Sequence, residues 1–173
     1  METTPTLQKI VIALSGRPED QRMIDWLGNL HLQSSVEVHL VRILQLQTLY
    51  RQDFRQKASE SWGIFVKQAQ QQILDLETQL QKLNLNTETH LVEGDHVGEA
   101  LINYAEMHGC DLIMTGDSDS GLLTRLFMGS TSRYVLRHAT CSVLIVRDEE
   151  ERIKAKQQIA AGSTVTTGCE VSI

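Results

Sequence analysis

Short apolar segments alternate along the chain with longer segments whose apolar residues recur every three or four positions. The segment KIVIAL, which stops at Ser15 and Gly16, is typical of a strand buried on both faces. The pattern predicts five strands, at residues 9–14, 36–44, 87–92, 111–115 and 142–146. It predicts four helices between them, at residues 18–30, 60–83, 97–109 and 131–138.

This alternation of strands and helices predicts the fold class. Parallel strands need crossover connections, and a helix after each strand supplies them. We therefore expect a three-layer α/β domain with an open sheet of five mainly parallel strands and right-handed crossovers. The hydrophobic pattern by itself leaves the order of the strands open.

Composition and charge exclude several classes of protein. The net charge of −6 over 173 residues argues against a surface for nucleic acid or anionic membrane. The sequence has no apolar run long enough to cross a bilayer and no pattern of a signal peptide, so membrane insertion is not expected. Three cysteines without CxxC spacing indicate neither a disulfide framework nor a zinc site, and they favour a reducing cytoplasm.

The character of the chain changes after residue 147. Residues 148–173 begin with four acidic residues and continue with small polar ones and few apolar anchors. We therefore predict a domain at residues 1–147 and a polar C-terminal tail at residues 148–173, which is solvated or carries a short helix that packs on a partner.

The stretch GDSDSGLLTRLFMGSTSRYVLRH, residues 116–138, carries the candidate binding chemistry. It predicts a strand end, a loop rich in Gly, Ser and Asp, and a helix that begins near Gly129. Free amide groups at a helix start attract phosphate, and Ser130 or Thr131 is expected to cap the helix. Asp117 and Asp119 oppose an anion here, although two such carboxylates could hold Mg²⁺.

The segments DLIMTG and GSTSRYVLRHATCSVLIVR resemble the C-terminal half of universal stress protein domains. The order of elements matches that family over about residues 8–147. The resemblance implies the adenine nucleotide alpha-hydrolase-like strand order 3-2-1-4-5. Strands 1 and 4 are then neighbours, and ligands of such open sheets bind in the crevice between their carboxyl ends.

The family pattern transfers to only part of this loop. Gly116 matches its first glycine and Gly129 its closing one, but Asp119 stands where the second glycine belongs. Ser15 stands where nucleotide-binding members place an aspartate near the adenine or ribose. We therefore expect ATP or another adenine nucleotide to bind weakly, without Mg²⁺. The nucleotide site predicted from these matches consists of Ser15, Gly16, Gly116, Ser118, Gly129, Ser130 and Thr131.

The resemblance also implies a homodimer through the last strand, with Val143 and Ile145 near the two-fold axis. No set of nucleophile, base and orienting group can be assigned, and the histidines suggest no metal site. The expected function is a binding or regulatory module in the stress response. Two alternatives stay open: a weak Mg²⁺-dependent nucleotide hydrolase using Asp117 or Asp119, and a soluble nucleotide-sensing domain that regulates a transporter.

Overall fold

The computed structural model describes residues 7–45, 55–117 and 129–147, and for residues 55–61 it describes the backbone alone. Strands and helices alternate throughout. In chain order the elements are β1 (Lys9–Leu14), α1 (Asp20–Asn29), β2 (Glu37–Leu44), α2 (Arg55–Gln81), β3 (Asn86–Glu93), α3 (Val97–Met107), β4 (Leu112–Gly116), α4 (Ser130–His138) and β5 (Ser142–Val146).

The five strands form one parallel sheet in the order β3-β2-β1-β4-β5. Both the parallel arrangement and the order 3-2-1-4-5 that the resemblance implied are thereby confirmed. The central strand β1 pairs with β2 on one side, where Ile10 lies opposite Val38, and with β4 on the other, where Ile12 lies opposite Met114. The strands β1 and β4 are paired, but α1 after β1 and α4 after β4 pack on opposite faces of the sheet, so a crevice lies beyond their carboxyl ends.

Helices cover both faces of the sheet, which explains why its central strands are apolar throughout. On one face Ile10 and Ile12 pack with Met23 of α1 and Ile73 of α2. On the other face Val11 belongs to a second cluster, which is shared by α3 and α4. Its other fully buried members include Val41, Leu101, Ile113 and Val135. A strand covered on both sides has no solvent face, and this is the origin of the KIVIAL pattern.

The element boundaries differ from the sequence prediction mainly in the helices. The helix α2 begins at Arg55 rather than near residue 60, and it ends at Gln81, so Leu83 lies beyond it with 48% of its surface exposed. The helix α1 begins at Asp20, two residues after Pro18. The predicted tail at residues 148–173, the loop acid Asp119 and the site residue Ser118 lie outside the described residues.

Candidate functional site

A cleft opens beyond the carboxyl ends of β1 and β4, between the segments that follow these two paired strands. Ser15 follows β1 and Gly116 ends β4, and both line this cleft. Its apolar wall includes Leu14, Met23 and Val97. Its polar wall consists of Ser15, Arg17, Glu19, Asp20, Thr115, Asp117, Thr131 and Ser132. The sequence therefore located the cleft correctly, but it missed most of the side chains that define its charge.

The carboxylate of Asp20 closes the turn between β1 and α1. One of its oxygens accepts hydrogen bonds from the Ser15 amide at 2.9 Å and the Ser15 hydroxyl at 2.8 Å. The other accepts from the Gly16 amide at 2.7 Å. Asp20 is only 4% exposed, and charge-assisted bonds of this kind offset the cost of burying its charge. A carboxylate therefore stands at the end of β1 although Ser15 replaces the acid that the family pattern places there.

Position 16 favours glycine because of its backbone conformation and because Arg42 lies close to it. Its φ of +77° lies in the left-handed region, which side chains other than glycine rarely adopt. A Cβ at this position would come within 2.3 Å of Cζ of Arg42. The buried Arg42 donates to Oε1 of Gln72 and lies 5.2 Å from the ring centroid of Phe65. Burial lowers the pKa of Arg42, and the nearby charge of Asp20 opposes that shift.

Two further carboxylates in the cleft each have an oxygen that lacks a donor. Oδ1 of Asp117 and Oε2 of Glu19 are buried and accept no hydrogen bond within the described parts of the chain. The second oxygen of Asp117 lies 3.5 Å from Nε of Arg147, which leaves Oδ1 for another partner. Buried acceptors are almost always satisfied in folded proteins, so these two oxygens indicate where a donor group of a ligand could bind.

The start of α4 differs from the prediction. Gly129 is the N-cap, and Ser130 is the first helical residue, so the expected capping by Ser130 or Thr131 is wrong. An N-cap glycine has no side chain to accept from the first amides, and the first turn therefore begins without a side-chain cap. Ser132 is the hydroxyl with a structural role, because it donates to the Gly116 carbonyl at 2.7 Å and fixes α4 against the end of β4.

The predicted site residues are only partly brought together. Ser15, Gly116 and Thr131 line one cleft, whereas Gly16 faces Arg42 and lines a neighbouring groove with Gln72. Gly129 and Ser130 stand beside the cleft at the start of α4. The acidic residue Asp20 could have been suspected from its place in the first turn of a helix after a Ser-Gly turn, where negative charge is favoured.

The described cysteines have the character of core residues. Cys110 is buried, Cys141 is half-buried, and both are free thiols. Burial raises the pKa of Cys110 to about 11 and also raises the pKa of Cys141. Such thiols are poor nucleophiles at neutral pH. Within the described ranges each helix is too short or too polar to span a bilayer.

Comparison with known families agrees with the fold. Residues 6–147 match the model of the universal stress protein family. The chain belongs to the universal stress protein family. This match covers all five strands and all four helices, and it confirms the resemblance seen in the sequence.

The alignments with similar proteins extend over most of this chain. One relative, from Staphylococcus haemolyticus, carries the name universal stress protein and is 28% identical over 150 residues. These residues are 84% of this chain and 87% of the relative. The universal stress protein UspA from Lactobacillus plantarum has a TM-score of 0.71 at 18% identity, over 83% of this chain and all of that one.

Two structural neighbours were solved with adenine nucleotides. One is a universal stress protein in complex with cAMP, with a TM-score of 0.60 at 17% identity, over 83% of this chain and 97% of that chain. The other, from Archaeoglobus fulgidus, is a complex with dAMP, with a TM-score of 0.57 at 16% identity, over 80% of this chain and 96% of that chain. At these identities the likeness establishes the fold.

Proposed function

We propose that this chain is a homodimeric binding or regulatory module of the stress response. In this proposal the cleft between β1 and β4 takes an adenine nucleotide and binds triphosphates poorly. The cleft lies at the switch point of an open α/β sheet, where ligands of such folds bind. Two structural neighbours were solved with cAMP and with dAMP, each of which carries a single phosphate.

The observation that carries the proposal is the pair of unpartnered carboxylate oxygens in the cleft. Oδ1 of Asp117 and Oε2 of Glu19 can accept hydrogen bonds from the exocyclic amine of adenine or from ribose hydroxyls. The apolar surfaces of Leu14, Met23 and Val97 can pack against a base. Concave sites with an apolar lining and a few convergent polar groups are typical of small-molecule binding.

The carboxylates of the cleft, and that of Asp20 in particular, disfavour a polyphosphate. The amide groups of Ser15 and Gly16 could otherwise donate to a phosphate, but Asp20 occupies both. A carboxylate about 4 Å from a phosphate charge costs about 1–4 kcal/mol at intermediate dielectric. The cleft formed by the described residues has a volume of about 100 Å³, smaller than the roughly 300–1,000 Å³ of typical ligand pockets. Those residues would enclose only part of a nucleotide, which also favours weak binding.

The homodimer is proposed from the position of β5. This strand is the last in the sheet order, and it pairs with β4 along one edge, where Val143 lies opposite Ile113 and Ile145 opposite Thr115. Its other edge has no strand partner among the described residues. Folded proteins protect or pair such apolar edges, and a second copy related by a two-fold axis would do so. We also propose a reducing, cytoplasmic setting, which the free thiols of Cys110 and Cys141 support.

Calorimetric titration with AMP, cAMP and ATP tests the binding proposal. We expect AMP or cAMP to bind more tightly than ATP, and Asp117→Asn to weaken AMP binding by about tenfold, or about 1.4 kcal/mol. The matched control is Asp25→Asn, which makes the same change at an exposed residue of α1. Equal affinities of Asp117→Asn and the unmodified chain for AMP would contradict the assigned role of Asp117.

The hydrolase alternative is tested in the same preparation. It requires turnover of ATP that depends on Mg²⁺ and disappears in Asp117→Asn or Asp119→Asn. We expect no such turnover, because one oxygen of Asp117 faces Arg147 and only the other is left for a metal. If turnover were lost in either of these variants but kept in Asp25→Asn, the chain would be an enzyme, and the proposal of a binding module would be wrong.

A further inference from the structure

A cluster of metal-ligating side chains lies on the neighbouring strands β2 and β3, apart from the cleft between β1 and β4. The parallel register of β2 and β3 places Glu88 opposite His39, and His90 two residues further along the same face. Nε2 of His90 lies 3.2 Å from Oε2 of Glu88, and Nε2 of His39 lies 3.9 Å from the same oxygen. One donor atom from each of the three side chains lies within 4.8 Å of the other two.

We propose that His39, Glu88 and His90 bind a Zn²⁺ ion. Two imidazole nitrogens and one carboxylate oxygen form a ligand set that Zn²⁺ uses, with water or another small ligand in the fourth position. Ligands 2.0–2.1 Å from a tetrahedral ion lie roughly 3.3 Å apart. Two of the donor separations are 3.2 and 3.9 Å, and the rings of His39 and His90 stack with centroids 5.3 Å apart, so both rings must turn for their nitrogens to converge on one ion.

The surroundings of His39 orient it for this role. Its side chain is only 1% exposed, and Nδ1 lies 2.7 Å from the hydroxyl of Tyr104 in α3. A tautomer that donates from Nδ1 to that hydroxyl frees the lone pair of Nε2 for an ion, in place of the contact of Nε2 with Oε1 of Glu37. Metal-binding histidines almost always have such a partner on the other ring nitrogen.

Binding of Zn²⁺ would replace one contact that His39 makes in the structure. Oε1 of Glu37 lies 3.0 Å from Nε2 of His39, while its other oxygen pairs with Nζ of Lys9 at 3.1 Å. When Nε2 binds a cation, Glu37 keeps its partner Lys9. Its carboxylate then stays close to the ion and adds favourable charge, and this keeps the cost of the exchange low.

The cluster can be reached from solvent. Glu88 is 51% and His90 32% exposed at the side chain, and a groove of about 580 Å³ is lined by His90, Tyr104 and His108, among others. The ring of His108 stacks on Tyr104 with centroids 4.0 Å apart and so supports the outer side of the site. A bound ion would link β2 to β3 and stabilise the folded chain, since the unfolded chain does not preform the site.

Zn²⁺ affinity, measured by competition with a chromophoric chelator, tests the proposal. We expect one ion per chain, and we expect Glu88→Gln and His90→Asn each to weaken binding by at least about tenfold. Tyr104→Phe should weaken it as well, because it removes the partner of His39 Nδ1. His138→Asn removes an exposed imidazole outside the cluster, and the affinity should stay within about twofold. At one fixed concentration, added Zn²⁺ should raise the Tm of the unmodified chain and of His138→Asn more than the Tm of Glu88→Gln or His90→Asn.

Co²⁺ and a cysteine variant separate this site from adventitious binding. The visible bands of tetrahedral Co²⁺ should appear without a thiolate charge-transfer band, and they should persist in Cys169→Ser. Thermal unfolding without metal shows whether Glu88→Gln and His90→Asn fold. Absence of saturable Zn²⁺ binding would overturn the proposal. It would also be overturned if both folded variants bound Zn²⁺ as the unmodified chain does, or if the Co²⁺ spectrum depended on Cys169.

Discussion

Asp20 folds back onto Ser15 and accepts from both its amide and its hydroxyl, at 2.9 and 2.8 Å. This relationship joins the end of β1 to the first turn of α1 and supplies the carboxylate that the residue at position 15 lacks. It also occupies amide groups that a phosphate would need. The charge of the candidate site therefore depends on a residue five positions beyond the family's acidic position.

The first prediction concerns the stability that Asp20 provides. Asp20→Ala leaves the amides of Ser15 and Gly16 without their acceptor and removes the negative charge near the buried Arg42. We expect the free energy of unfolding in urea to fall by about 2–3 kcal/mol, since hydrogen bonds to buried charges are the strong ones. Asp25→Ala, on the exposed face of the same helix, should cost less than about 0.5 kcal/mol. Equal losses in the two variants would show that the turn does not depend on Asp20.

The second prediction concerns the edge of the sheet. If β5 pairs with its copy across a two-fold axis, Ile145→Lys places two like charges near that axis, and the dimer should dissociate while the circular dichroism spectrum is retained. Leu74→Lys makes the same change on α2, where Leu74 is 45% exposed, and it should leave the dimer intact. Sedimentation analysis distinguishes these results. A monomer for the unmodified chain at micromolar concentration would remove the proposed assembly.

The third prediction concerns Cys110 and alkaline pH. Because burial raises the pKa of this thiol from 9.0 to about 11, the native chain keeps a proton that the unfolded chain loses between these values. Stability from this group is therefore complete below pH 9 and is lost as the pH rises toward 11. In a chain with Cys141→Ser and Cys169→Ser, iodoacetamide at pH 9 should alkylate native Cys110 at least about tenfold more slowly than the urea-unfolded chain. Similar rates would mean that Cys110 is exposed.

Much of the fold could be predicted from the sequence because it depends on local pattern. Strands such as Lys9–Leu14 are apolar on both faces, and a sheet covered by two helix layers requires that composition. The strand order came from resemblance, since hydrophobic period carries no information on which strands are neighbours. Helix ends were less accurate, because the start of α2 and the exposure of Leu83 depend on packing rather than on periodicity.

The candidate site was predictable in position but not in its chemistry. Ser15 and Gly116 follow strands and could be assigned to one edge, but Asp20 acts through a turn whose geometry the sequence pattern does not specify. The cluster of His39 and Glu88 could not be predicted from the sequence, for a related reason. These residues are 49 positions apart and become neighbours only through the register of two parallel strands. A short sequence motif cannot show a contact between residues so far apart in the chain.

The most direct test of the central claim is a titration of AMP into the unmodified chain and into Gly116→Val. Among the described residues, a Cβ added at Gly116 meets within 4 Å only Sδ of Met23, at 3.9 Å, so we expect valine to be tolerated by the fold and to fill the cleft. Gly63→Val on α2, where an added Cβ meets no atom within 4 Å, is the matched control. The account predicts that AMP binds the unmodified chain and Gly63→Val alike, and that Gly116→Val binds it at least about tenfold more weakly. Unchanged AMP affinity in a folded Gly116→Val, or no adenine-nucleotide binding by the unmodified chain, would contradict the account.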